Sequence, residues 1–313
     1  MRAVRFRDDA IQVVDVPDPN PDDGEIVSIR SASICGSDFE YIDMKCTATL
    51  GHELAGTTAD GRAVAVEGVF GCGSCEQCAA GTYNMCPAAL TTPLGMMRDG
   101  GMADALAVPE RNLVALPDGL AVEDASLVEP LAVAMHGIHL AQAQPDQRVG
   151  IVGAGSIGLL SVAAATGAGC EVGLSARHSH QMERGEKLGA HAASGTYDIV
   201  VEASGNKGGL EDAIAMLNPT GTLIVLGLYG GNIPLPMLAF LREARVQMSL
   251  AYCGCHHGTK GTRDVDQAAA LLAARPEICE TLITHRFPLD DAAHAYTVAA
   301  DRQAGAVKVV LLP

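Results

Sequence analysis

The sequence predicts an α/β protein in which a doubly wound parallel sheet is joined to an all-β lobe. Three observations carry this. After residue 148, apolar strands alternate with helical stretches, the pattern of right-handed crossovers in a parallel sheet. That pattern opens on R-V-G-I-V-G-A-G-S-I-G (148–158), a short strand running into glycines at 153, 155 and 158. Before residue 148 the chain instead shows short alternating strands cut by proline and glycine.

In chain order, strands are expected at Ala3 to Phe6, Ile11 to Val16 and Glu25 to Ser33, separated by Pro17, Pro19, Pro21 and Gly24. The third strand runs into Ile34-Cys35-Gly36-Ser37-Asp38, and Gly51-His52-Glu53 follows. A thiolate, an imidazole and a carboxylate at strand ends are what a zinc ion with an open coordination position needs. Taken singly, a cysteine is usually a small buried hydrophobe and a His-Glu pair a hydrogen-bonded surface feature.

Cys72, Cys75, Cys78 and Cys86 have the spacing C-x2-C-x2-C-x7-C, four soft ligands in one loop, which predicts a closed structural zinc site. Cys253, Cys255, His256 and His257 form a second cluster, but adjacent histidines and a one-residue cysteine gap suit a tetrahedral site poorly. Gly100 to Asp104 and Val108-Pro109 suggest further β structure, and Glu129 opens an apolar helix whose His136 and His139 read as packing residues.

The second half should begin with the strand ending at Val152. Gly153 permits the tight turn, Gly155 the approach of a pyrophosphate, and Gly158 close helix packing, with free N–H groups at Ser156 facing the anion. Alone, such a glycine pattern fits any α/β turn; the alternation around it decides for a dinucleotide. Val172 to Ser175 is the second strand, His180 to Leu188 a helix, Tyr197 to Ala203 a strand, Gly209 to Leu217 a helix, Thr222 to Leu228 and Arg245 to Tyr252 strands, and Asp264 to Ala274 a last helix.

At 313 residues, with 48% hydrophobic and 19% charged residues, the chain suits two globular domains. No apolar run approaches the about 18 residues of a membrane span, and Met1 to Gln12 does not read as a signal peptide, so a cytoplasmic protein is expected. A formal net charge of −16 argues against nucleic acid or an anionic membrane as partner. Ten cysteines in a reducing compartment favour metal binding over disulfides.

Taken together, I-C-G-S-D (34–38), G-H-E (51–53), the four-cysteine loop (72–86), E-P-L-A-V (129–133), G-A-G-S-I-G (153–158), E-A-S-G (202–205), F-P-L-D-D-A (287–292) and G-A-V-K-V-V-L (305–311) resemble the zinc-dependent medium-chain dehydrogenase/reductases, the sorbitol and threonine dehydrogenase branch above all. The resemblance implies a GroES-like β-barrel catalytic domain from residues 1–130 and 281–313, and a Rossmann domain from residues 131–280. It implies catalytic zinc ligands Cys35 and His52 with Glu53 or Glu129 as the carboxylate, and Ser37 touching the reacting oxygen. Tyr41 falls on the substrate side. Cofactor contacts are implied at Gly153, Gly155, Ser156, Ile157, Gly158, Ser175, Arg177, Ala203 and Lys308. The expected reaction is hydride transfer between an alcohol and a nicotinamide cofactor, by a homodimer or homotetramer.

The chain departs from the family pattern in carrying Glu40 where a relay histidine often stands, and in being trimmed between Cys35 and His52. Glu53 is expected nearer the resting metal and Glu129 as its exchanging partner. Where an acid should bind a ribose 2′-hydroxyl, the second strand ends Ser175-Ala176-Arg177-His178, which predicts NADP(H) over NAD(H). Arg177 as a plain solvated residue is the alternative. Rival readings of the whole are a zinc-independent reductase of the same fold and a zinc-stabilised nucleotide binder without turnover.

Overall fold

The computed structural model describes residues 1–256, 259–301 and 305–313. The chain divides into two compact units, Met1–Glu129 with Cys253–Pro313, and Pro130–Tyr252.

In the first unit, β1 (Arg2–Arg7) and β2 (Ala10–Asp15) form an antiparallel hairpin, and β3 (Glu25–Ser33) leads into helix α1 (Gly36–Asp43). β4 (Glu53–Thr58) and β5 (Ala63–Val66) follow. Short helices α2 (Glu76–Ala80) and α3 (Pro87–Thr91) carry the cysteine loop, and β6 (Ala105–Val108) and β7 (Leu113–Ala115) complete the stretch. Helix α4 (Val128–Leu140) begins at the unit boundary.

The second unit holds β8 (Arg148–Val152), α5 (Ser156–Gly167), β9 (Glu171–Ser175), α6 (Ser179–Lys187), β10 (His191–Ala192), β11 (Tyr197–Glu202), α7 (Lys207–Ala215), β12 (Leu217–Val225), α8 (Met237–Leu241) and β13 (Arg245–Met248). Its six-stranded sheet has the order β10-β9-β8-β11-β12-β13, and every pairing in it is parallel. The inner strands are near-continuous runs such as Ile-Val-Val in β11, buried on both faces as a parallel sheet requires, whereas the edge strands β10 and β13 are exposed. β13 stops at Met248, four residues earlier than its apolar pattern suggests.

Returning to the first unit, a two-residue ladder joins β14 (Cys255–His256) and β15 (Thr259–Lys260). Helices α9 (Asp264–Ala274) and α10 (Glu277–Leu282), β16 (Ile283–Pro288), α11 (Ala292–Ala300) and β17 (Lys308–Leu312) follow. The large sheet of this unit has the order β16-β17-β3-β4-β5-β7, with β6 also on β3. The C-terminal strand β17 thus sits antiparallel on β3, and that pairing sets the site. The division after Tyr252 differs from the boundary expected at 280/281: residues 253–280 group with the β lobe. The reason is visible at Arg263, just before α9, whose guanidinium donates to the carbonyls of Arg111 (2.8 Å) and Leu113 (3.3 Å) and pairs with Glu67 (3.2 Å).

Candidate functional site

Cys35 is the N-cap of α1, at the junction of β3 and the helix. Its N–H donates to Asp38 Oδ2 at 2.9 Å, which fixes the entry into the helix. His52 follows Gly51, whose φ of +97° and clearance of only 2.5 Å from a would-be Cβ to Met102 Cγ admit no side chain. Glu53 opens β4. One ligand atom from each of Cys35, His52 and Glu53 lies within 4.8 Å of the others. The Ser37 hydroxyl donates to Cys35 Sγ (3.3 Å) and lies 3.4 Å from His52 Nε2. The Tyr41 ring centroid is 6.0 Å from that of His52. The structure therefore gathers Cys35, Ser37, Tyr41, His52 and Glu53 around one point. Glu129, buried on the first turn of α4, is not in the three-residue ligand group, although its charge acts on His52. Glu40 is exposed.

The surroundings of His52 call for a cation. Burial works against a protonated ring, yet the charges of Cys35, Asp38 and Glu129 outweigh it and hold the His52 pKa well above its ordinary value. A bound metal would answer the same negative charge, so the donor set fits zinc. Asp38 is a functional candidate that motif reading missed. Its Oδ1 lies 3.5 Å from His52 Nδ1, and both atoms are buried without a hydrogen-bond partner. A carboxylate behind the outer nitrogen of a ligating histidine orients the ring and sets its tautomer. The available signal was Cys-x-x-Asp at a helix start, a spacing that lets the fourth residue bond back to the cap.

Lys308 is 2% exposed at the start of β17 and donates to Glu53 Oε1 (2.8 Å), Glu53 Oε2 (2.7 Å) and the Ile34 carbonyl (3.3 Å). The Ser33 hydroxyl also donates to Glu53 Oε2. β17 lies beside β3, so a lysine facing inward at that register meets the carboxylate at the head of β4. Glu53, the carboxylate grouped with Cys35 and His52, is thus simultaneously committed to a buried ammonium.

The four cysteines of the loop converge as their spacing implies. Their sulfurs all lie within 4.8 Å of one another, with Cys72 and Cys78 4.0 Å apart. A tetrahedral zinc with Zn–S bonds of about 2.3 Å has S···S edges of about 3.8 Å, close to this arrangement. Backbone N–H groups point at the sulfurs: Cys75 to Cys72, Cys72 to Cys86 and Gly73 to Cys78, each 3.3 Å. Hydrogen bonds from Ser74 and Cys75 pull the Cys72 thiol down to about 6, whereas burial pushes Cys78 up to about 12. Of the later cluster, Cys253 is buried and its N–H donates to Asp264 Oδ2 at 2.9 Å. His257 and the side chains of Cys255 and His256 lie outside the described residues.

In the second unit the glycine turn has the anticipated form. Gly153 adopts φ +99°, and a Cβ there would stand 2.9 Å from Ser204 N and 3.0 Å from Ala203 C. A Cβ on Gly158 would overlap the Gly153 carbonyl, whereas Gly155, the N-cap of α5, has nothing within 4 Å. Open space at Gly155 and the buried, unpartnered Ser156 hydroxyl at the helix start suit a pyrophosphate. Ile157 is half-buried in the first turn, and Ala203 Cβ is 3.7 Å from where a Cβ on Gly158 would stand. Ser175 ends β9, its carbonyl accepting from Gly153 N at 3.2 Å; Arg177 beyond it is exposed.

Comparison with known proteins agrees with this geometry. The alcohol dehydrogenase GroES-like domain matches residues 21–118, and the glucose dehydrogenase C-terminus matches residues 122–312. The chain belongs to the zinc-dependent medium-chain dehydrogenase/reductase family. It is 31% identical to sorbitol dehydrogenase of Bacillus subtilis (strain 168) over 73% of this chain and 75% of that protein. Galactitol 1-phosphate 5-dehydrogenase of Escherichia coli (strain K12) is 27% identical over 95% of each chain. A putative zinc-binding dehydrogenase from Sinorhizobium meliloti 1021, solved bound to NADP, superimposes with a TM-score of 0.84 at 28% identity, covering 100% of this chain and 99% of that one. The fold is accordingly a GroES-like domain with a Rossmann domain, and the chain is an alcohol dehydrogenase-type oxidoreductase that uses a nicotinamide cofactor. Among the described residues no helix is long and apolar enough to cross a membrane.

Proposed function

We propose that this enzyme interconverts a polyol or another secondary alcohol, including a cyclitol or amino alcohol, with its carbonyl compound, and that it prefers NADP(H). The observation that carries the reading is the three-residue set Cys35, His52 and Glu53 with the Ser37 hydroxyl beside it, a ligand group that leaves a coordination position for substrate. When bound, zinc there supplies Lewis acidity to an alcohol oxygen and the nicotinamide exchanges the hydride. Cys35 and His52 hold the metal, while Asp38 sets the His52 ring. Ser37 takes the proton of the substrate hydroxyl and passes it on. Tyr41 bounds the substrate side. A second zinc, on Cys72, Cys75, Cys78 and Cys86, is structural.

Gly153, Gly155, Ser156, Ile157, Gly158 and Ala203 form the dinucleotide cradle, and Ser175 and Arg177 take the 2′-phosphate. Ala176 in place of an acid removes a repulsion, and one charge-assisted hydrogen bond of about 1.5–3 kcal/mol corresponds to roughly 10- to 100-fold in kcat/KM. We also propose a cytoplasmic homo-oligomer. In support, edge strand β13 is exposed along its length, and Met237, Phe240 and Leu241 of α8 are 71%, 78% and 70% exposed. Leu235, Met248 and Leu250 are 52%, 51% and 45% exposed, apolar surface of the kind a partner subunit covers.

The test is a panel of polyols, cyclitols and amino alcohols with NADP⁺ and NAD⁺, followed by nicotinamide absorbance, beside Arg177→Ala. NADP⁺ should win with the wild type, and Arg177→Ala should lose that preference while keeping NAD⁺ turnover. Equal or better kcat/KM with NAD⁺ would overturn the cofactor assignment. Sedimentation of the wild type as a monomer would overturn the oligomer.

A further inference from the structure

We propose that Glu202, at the end of β11, is a positioning residue that shapes the seat of the nicotinamide half of the cofactor. The inference rests on the dinucleotide reading above. In the sheet, β9 and β10 lie on one side of β8, and β11, β12 and β13 on the other, so the winding reverses between β8 and β11. A dinucleotide lies across the carboxyl ends of the strands at such a reversal. With the 2′-phosphate at the end of β9, the nicotinamide half falls over the ends of β11 and β12.

Glu202 organises those two ends. It is fully buried. Its Oε1 accepts from Ser204 N (2.7 Å), Gly205 N (3.1 Å) and the Ser204 hydroxyl, which folds the turn after β11. Its main-chain carbonyl accepts from Leu226 N (2.9 Å) and Gly227 N (3.0 Å), which holds the turn after β12. The next residue, Ala203, donates to Val152 O at 2.9 Å, beside Gly153. Glu202 therefore ties the ends of β11 and β12 together, while Ala203 makes the bond to the glycine turn.

The second oxygen is the informative one. Oε2 is buried with no N–H directed at it; the Tyr229 hydroxyl, whose pKa is raised by burial and by the Glu202 carboxylate, is a neighbouring donor, and a buried carboxylate so short of donors costs stability that a neutral side chain would not. The space around it is kept clear, because a Cβ on Gly227 would fall on Oε2, 2.5 Å from Gly205 N. Gly205 itself adopts φ +64°. An acid held at such a cost, with glycines shaped around it, marks a turn whose geometry matters more than its stability.

The experiment compares two ligands on the full-length, zinc-loaded protein by titration calorimetry: NADP⁺, and 2′-phospho-ADP-ribose, which lacks the nicotinamide. The variants are Glu202→Gln and Gly227→Ala, the second moving the same turn without removing the acid. In both, Kd for NADP⁺ should rise by roughly 10-fold, the loss of about one charge-assisted contact, while Kd for the fragment should change by less than about two-fold, as expected of independent sites. If Glu202→Gln does not fold, Gly227→Ala carries the test. Equal weakening of both ligands, or no weakening of either, overturns the inference. A wild type that binds neither ligand overturns the dinucleotide reading, and this inference with it.

Discussion

Replacing Lys308 by methionine keeps the bulk of the side chain and removes only its charge, leaving the Glu53 carboxylate uncompensated. The two side chains are 3% and 1% exposed, and Nζ contacts both carboxylate oxygens. Removing one partner of such a buried pair costs about 3–5 kcal/mol, most of it the desolvation of the charge left behind. For units of this size, about 2–4 °C of melting temperature accompanies each kcal/mol, so Lys308→Met should melt roughly 10 °C lower in calorimetry at fixed zinc concentration. Glu53→Gln alone should also destabilise, because it strands the ammonium. The double variant should recover at least about 2 kcal/mol of the summed loss, a coupling that only interacting residues show. Burial works against the Lys308 ammonium, but Glu53, with Cys35 and Glu129 beyond it, outweighs burial and raises its pKa. A raised lysine contributes stability below its unfolded pKa and loses it as pH rises through the folded value. The deficit of Lys308→Met should therefore be constant at neutral pH and shrink only above about pH 10.4. Additive single losses, within about 0.5 kcal/mol, would refute the pairing.

Asp38→Asn should leave the fold intact but speed the loss of metal from the Cys35 site, with a 10- to 100-fold weaker affinity in chelator competition; unchanged retention would remove Asp38 from the site. Cys75→Ser should lower both the melting temperature and the zinc content, because a closed thiolate site contributes folding energy. Cys35→Ser should reduce zinc from two per chain towards one and abolish turnover with little change in melting, and a wild type holding a single zinc would contradict both. Burial pushes the Glu67 carboxyl up to about 7 against the hydrogen bond from Tyr83 and the charge of Arg263, a cation also shared with Asp266. A carboxyl raised in the folded state binds more protons than the unfolded chain between about pH 4.5 and 7, so its contribution falls as pH rises through that window. Relative to wild type, Glu67→Gln should gain melting temperature from pH 5 to pH 8; parallel melting curves would show that Glu67 stays ionised.

What could be read from the sequence was whatever depends on short spacings. C-x2-C-x2-C-x7-C places four sulfurs in one loop because the loop is too short to place them anywhere else, and strand, glycine turn and helix come as one local unit from Arg148 to Gly158. Cys35 and His52 were legible for the same reason, each at the end of a strand with its own pattern. Only the tertiary structure decided what depends on partners remote in sequence. Lys308 meets Glu53 across 255 residues because β17 inserts beside β3, a pairing that no local pattern announces. Residues 253–280 group with the β lobe through Arg263, although their helix-rich pattern continues that of the parallel sheet. Asp38 and Glu202 look in sequence like an ordinary helix-start acid and the last residue of an apolar strand. Burial is what gives them meaning: a carboxylate removed from water must find its donors or a cation, and those come from whichever elements the fold packs against it.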